Sequence, residues 1–181
     1  MKLYEGMFIL HNREITDETD APDDTVRGLL EKVGASVERS VVWANRKLAY
    51  PIKGNQTGTY VLTYFRGEPD AVAQIHREVG LNERCLRVIC FNVDEIPTDE
   101  QLTELVEAAG RATRRDLADT GRNYFKEFID YKNVALLRRV ITNQGKLFSR
   151  KRSGASASHQ RQLKRAVHRA RIAALLPFVS R

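Results

Sequence analysis

Cysteine is scarce, with only Cys85 and Cys90 in 181 residues. In a regular strand, residues five apart point to opposite faces. Neither a short-range disulfide nor a Cys-x-x-Cys metal pair is therefore expected, only small thiols in a reducing compartment. Long apolar runs are also missing. No segment approaches the roughly 20 apolar residues of a membrane span, and the N-terminus lacks the apolar stretch of a signal peptide. A cytoplasmic protein with no membrane partner is expected. No phosphate-cradling glycine loop precedes a Lys and Ser/Thr, and no Gly-x-Ser-x-Gly turn occurs. His11, His76, His159 and His168 are dispersed, and no carboxylate pair falls in an evident pocket. The chain is thus expected not to be an enzyme, to hold no metal or cofactor, and to take no small-molecule substrate. The most informative absence is of negative charge: residues 131–181 contain no Asp or Glu.

The net charge of +7 is very unevenly spread. Residues 1–96 carry twelve Lys and Arg against fifteen Asp and Glu, and residues 97–121 three against six. Residues 122–181 carry fifteen against two. A near-neutral region is therefore joined to a strongly cationic one, and such self-repulsion implies a polyanionic partner.

The apolar pattern orders the first part as β-α-β-β-α-β. Leu3 to Leu10 is apolar on both faces, as in a central strand. Val26, Leu29, Leu30 and Val33 recur at helical spacing before Gly34. Ser36 to Trp43 is strand-like and runs on as an extended arm to Ile52. Gly54, Asn55 and Gly58 mark a turn before a strand from Thr59 to Phe65. Pro69 opens a helix carrying Val72, Ile75 and Val79, ended by Gly80, and Arg84 to Val93 is a last strand. The expected class is α+β: a ferredoxin-like antiparallel sheet with helices on one face, whose other face needs cover or stays wet. Domain limits are expected at 1–96, a mainly helical linker over 97–122 opened by a Thr98–Gln101 capping box, and a basic all-α module over 123–181.

In that module Asp130 is expected to cap a helix to about Asn143, with Gly145 as its C′ residue. Residues 146–156 read as a basic loop. A second helix is expected from about Ala157 to Leu176, with Leu163, Ala166, Val167, Ala170 and Ala174 as its buried stripe. The candidate RNA-binding residues are Lys146, Arg150, Lys151, Arg152, His159, Arg161, Lys164, Arg165, Arg169 and Arg171. Lys and Arg displace counterions from phosphates, and Arg also binds phosphate bidentately and stacks on bases. A solvated helix face would normally mix both signs of charge.

The run Arg46-Lys47-Leu48-Ala49-Tyr50-Pro51-Ile52-Lys53, with Tyr4-Glu5 and Gly58-x-Tyr60, resembles the signature of the bacterial small-subunit ribosomal protein six family. Ala44 stands where that family usually has glycine. The last third resembles the ribosomal protein eighteen family through Ile129-Asp130-Tyr131-Lys132, Gly145-Lys146-Leu147, Gln160-Arg161-x-Leu163 and Arg169-Ala170-Arg171, continuing to Ala174-Leu175-Leu176-Pro177-Phe178. Ser149, Ser153 and Ser158 replace that family's usual proline, threonine and lysine. The resemblance implies a structural constituent of the small ribosomal subunit, cytoplasmic and ribosome-associated. Its partners would be the central domain of small-subunit rRNA at the platform and the neighbouring ribosomal proteins fifteen and eleven, with both halves of the six–eighteen heterodimer in one chain.

Three other readings compete. An RNA-recognition motif would stack bases on Phe8, Tyr60 and Tyr64, yet Gly58 sits between Thr57 and Thr59 rather than in the basic-glycine-aromatic pattern. An acylphosphatase would need Arg13 in a phosphate-holding loop, which lacks the glycines. A helix-turn-helix would need a turn of three or four residues rather than the long basic loop.

Overall fold

The computed structural model describes residues 1–12, 21–111 and 129–179. Arg13 lies outside them, as do linker residues 112–122 and the first residues of the expected basic module, 123–128. The chain divides into two units, Met1–Val106 and Glu107–Arg181.

The first unit runs β1 (Lys2–Leu10), α1 (Pro22–Lys32), β2 (Ser36–Ile52), β3 (Asn55–Gly67), α2 (Pro69–Leu81), β4 (Cys85–Asn92) and the opening turns of α3 (Asp99–Arg111). The antiparallel sheet has the order β2-β3-β1-β4, so doubly apolar β1 is central, as its sequence requires. On one face, Phe8, Val61, Phe65 and Val88 pack against Val26, Leu29 and Leu30 of α1 and Ile75 and Val79 of α2. Gly6 leaves room for those rings: a Cβ there would lie 2.9 Å from the Phe8 ring and 3.0 Å from that of Phe65. On the other face, register sets Glu5 beside Tyr64, Met7 beside Leu62 and Ile9 beside Tyr60. All six are buried, and the Tyr64 hydroxyl donates to Glu5 Oε2 at 2.7 Å. Phe8, Tyr60 and Tyr64 are thus core residues rather than exposed stacking platforms.

Several local expectations change. The arm after Trp43 is strand throughout, making β2 seventeen residues long, with register breaks at Val37/Arg39, Val42/Ala44 and Lys47/Ile52. Gly58 is not in the turn; it lies within β3, where a Cβ would meet Ile9 Cγ2 at 2.9 Å. Gly80 lies inside α2 rather than ending it. The cysteines do not face opposite ways. Leu10 pairs with Cys85 while Ile9 pairs with Arg87, so Leu86 is an extra residue that shifts the alternation. Both cysteines therefore pack towards the helix-side core. Burial pushes the Cys85 thiol up to about 11 and that of Cys90 up to about 12, from an ordinary value of 9.0. Both should resist iodoacetamide at pH 8 in the folded chain and react promptly in urea, read as mass gain. Because folding raises both values, the contribution of the neutral thiols is complete below pH 9.0 and is lost as pH climbs through the folded values.

The Thr98–Gln101 capping box forms reciprocally. Thr98 N–H donates to Gln101 Oε1 at 3.1 Å, and Gln101 N–H to Thr98 Oγ1 at 3.4 Å. The first turns of α3 then dock on β2. Asp99 pairs with Arg39, Leu102 is buried, and Trp43 Nε1 donates to the Leu105 carbonyl at 3.1 Å. The part of the expected linker that follows the capping box thus packs inside the first unit.

The second unit contains α4 (Val134–Arg139), one-turn α5 (Arg150–Ser153) and α6 (Ala157–Ile172). The N-cap of α4 is Asn133, whose Oδ1 accepts from Leu136 N–H at 3.1 Å, not Asp130. Asp130 instead pairs with buried Lys132 at 2.9 Å. The helix stops well short of Asn143 because the chain turns back: Ile141 bridges Leu147, and Thr142 N–H donates to the Lys146 carbonyl at 2.7 Å. Gly145, at φ 79°, belongs to that turn rather than to a helix end. A Cβ there would lie 2.8 Å from the Phe178 carbonyl oxygen, so only glycine fits. Helix α6 ends before the expected Leu176 because Ala174 takes the left-handed conformation at φ 53°. Leu175 N–H then closes the end on the Ala170 carbonyl at 2.9 Å. The expected stripe is buried throughout, with Leu136, Leu137, Val140, Leu175 and Leu176.

Candidate nucleic-acid interface

Helix α6 is capped by Ser156, whose side chain accepts from His159 N–H at 3.1 Å. At about 100° per residue, burying Leu163, Ala166, Val167 and Ala170 places Arg161, Lys164, Arg165 and His168 on the opposite arc. All four are exposed. Lys146, Arg150, Lys151 and Arg152, also exposed, lie on the turn and α5 that precede α6 in the chain. Across residues 129–179 the only acidic side chain is Asp130, and it is committed to Lys132. No carboxylate of that stretch is left to offset the exposed cations.

The remaining candidates are placed differently. His159 and Arg169 are half-buried. Arg171 is half-buried too: its guanidinium donates to the Gly145 carbonyl and lies 5.9 Å from the Phe178 ring centroid. It holds the turn and the C-terminal segment to α6. Arg150 is exposed, though its Nε donates to the Ala155 carbonyl at 3.4 Å. Sequence reasoning missed two features. Buried Lys132 is signalled by Asp130 two residues earlier. The Arg152 guanidinium lies over the Phe148 ring, 4.0 Å from its centroid, as their i, i+4 spacing allows.

Among the described residues no group of three His, Cys, Asp or Glu is placed to hold a metal ion, and no helix is long and apolar enough to cross a membrane. An open groove in the first unit, between α1, β2 and α3, is lined by Arg27, Glu38, Arg39, Asp99 and Leu102 among others. Its Arg39 and Asp99 charges neutralise each other.

Two family models match successive stretches of the chain. Residues 3–92 match the family model described as ribosomal protein S6, and residues 126–176 match ribosomal protein S18. The small ribosomal subunit protein bS6 of Gluconacetobacter diazotrophicus is 36% identical over 115 residues, covering 64% of this chain and 70% of that protein. The bS6 of Gluconobacter oxydans is 38% identical over 96 residues, covering 53% and 60%. The crystal structure of 30S ribosomal protein S6 from Thermotoga maritima has 21% identity and a TM-score of 0.39, covering 61% of this chain and 98% of that one.

These matches, over a sheet domain followed by cationic helices, define a structural constituent of the small ribosomal subunit rather than an enzyme. The chain belongs to the ribosomal protein S6 family, with the ribosomal protein S18 match following in the same polypeptide.

Proposed function

We propose that this chain is a covalently joined form of the six–eighteen pair, seated in the cytoplasm on the small-subunit platform. It binds the central domain of the rRNA there, beside ribosomal proteins fifteen and eleven. Support comes from one observation above all. The exposed arc of α6 carries Arg161, Lys164 and Arg165 opposite a buried stripe, so these charges are held away from the module's core and towards solvent. Such an arrangement costs self-repulsion unless phosphates neutralise it. Joining the halves also has a physical rationale. A module of this size has a marginal core alone, and a tether raises the effective concentration of its partner to the order of mM.

The chain should co-sediment with small ribosomal subunits at moderate salt and wash off at high salt. Absence from the subunit fraction at both ionic strengths would refute the assignment.

A further inference from the structure

Phosphate contacts explain why a polyanion is held, but they carry no information about which nucleotides are engaged. The Phe148–Arg152 pair is built differently from the charges of α6. A separation of 4.0 Å from ring centroid to guanidinium carbon puts the cation on the ring's face. The ring is firmly based: Phe148 N–H donates to the Val140 carbonyl at 2.9 Å, and its own carbonyl accepts from Gln160 Nε2 of α6 at 2.8 Å. The turn carrying Arg152 is closed by Gly154, at φ 71°, whose N–H donates to the Arg150 carbonyl at 2.8 Å. Arg152 itself is exposed.

A guanidinium this close to a ring centroid, on an exposed residue, can rest one flat face on the ring and offer the other to solvent. The outer face can stack on a nucleobase, while the N–H groups at its rim remain available to phosphate. An ammonium in the same place would offer a point charge and no plane. The geometry points to Arg152, backed by Phe148, as a stacking platform for an unpaired base of the RNA, an inference that rests on the rRNA reading above. The consequence is selectivity. Bases inside a duplex are already stacked on one another, so the platform favours bulged, looped or single-stranded nucleotides.

The test uses the full chain and two probes of equal charge: an adenylate oligomer about 12 nucleotides long with a central 2-aminopurine, and an abasic strand with the same number of phosphates. Phosphate contacts contribute equally to both. The base-bearing strand should bind about tenfold more tightly, and 2-aminopurine fluorescence should change on binding. Arg152→Lys keeps the charge, so abasic binding should hold while the tenfold preference collapses towards one. Phe148→Leu should do the same by unseating the guanidinium, with circular dichroism confirming the fold. Equal affinity for the two strands, or a preference that survives Arg152→Lys undiminished, sinks the platform and leaves the phosphate reading standing. Failure of both strands to bind sinks both.

Discussion

Replacing Arg161, Lys164 and Arg165 together with glutamine should lower affinity for a central-domain rRNA fragment on the order of a few hundredfold at 0.1 M salt. The estimate follows from counterion release. Each neutralised phosphate contributes about 0.9 to the slope of log affinity against log salt, so three lost contacts should flatten the slope by about 2.7. The loss should shrink as salt rises and vanish on extrapolation to about 1 M, where the counterion contribution is nil. Folding should be unharmed, because all three side chains are exposed and glutamine forms helices about as well as lysine or arginine. Arg171→Gln should behave otherwise. It removes the hydrogen bond to the Gly145 carbonyl, so destabilisation of the module should accompany any loss of binding. Filter binding across a salt series measures both numbers. A triple variant with an unchanged slope would remove α6 from the interface.

Leu163→Ala should unfold the basic module under conditions where the parent chain is native. Leu163 is fully buried at the centre of the α6 stripe. Truncating such a leucine costs about 2–5 kcal/mol, depending on how far the cavity collapses. A core of this size supplies only about 3–5 kcal/mol in all. The expected result is loss of slow hydrogen exchange along α6 together with loss of rRNA affinity. Excess rRNA should partly restore the helix, since a ligand of the native state alone stabilises it by mass action. Leu163→Met, which conserves volume, should cost less than about 1.5 kcal/mol and keep both properties. A Leu163→Ala chain with native exchange rates would mean that α6 does not depend on this packing.

Much of the sheet domain was legible because its side chains obey one rule at a time. Phe8, Val26, Leu30 and Ile75 fall at the spacing of their elements, and each is fully buried. The misreadings fall where a local rule met a longer-range one. Gly58 has the composition of a turn but is fixed by the approach of Ile9 from the neighbouring strand. Cys85 and Cys90 follow alternation until one extra residue resets it, and no residue type announces a bulge. Asp130 has the chemistry of a cap, but Lys132 claims it and Asn133 caps instead. In the candidate interface the identity of the cations was plain, whereas their division of labour was not. Arg171 and Arg165 look alike in sequence, and only the position of the Gly145 turn gives one a structural bond and leaves the other in solvent.

The long edge strand carries a final consequence. Among the described residues the outer edge of seventeen-residue β2 pairs with no strand, and such an edge would ordinarily template joining with another chain, the first step towards fibrils. Here β2 breaks register three times, contains Pro51, which has no amide hydrogen to donate, and bears Glu38, Arg39, Arg46 and Lys47. The interruptions cost regularity, yet they deny an incoming strand any uninterrupted ladder. The sheet thus carries its own safeguard against clumping.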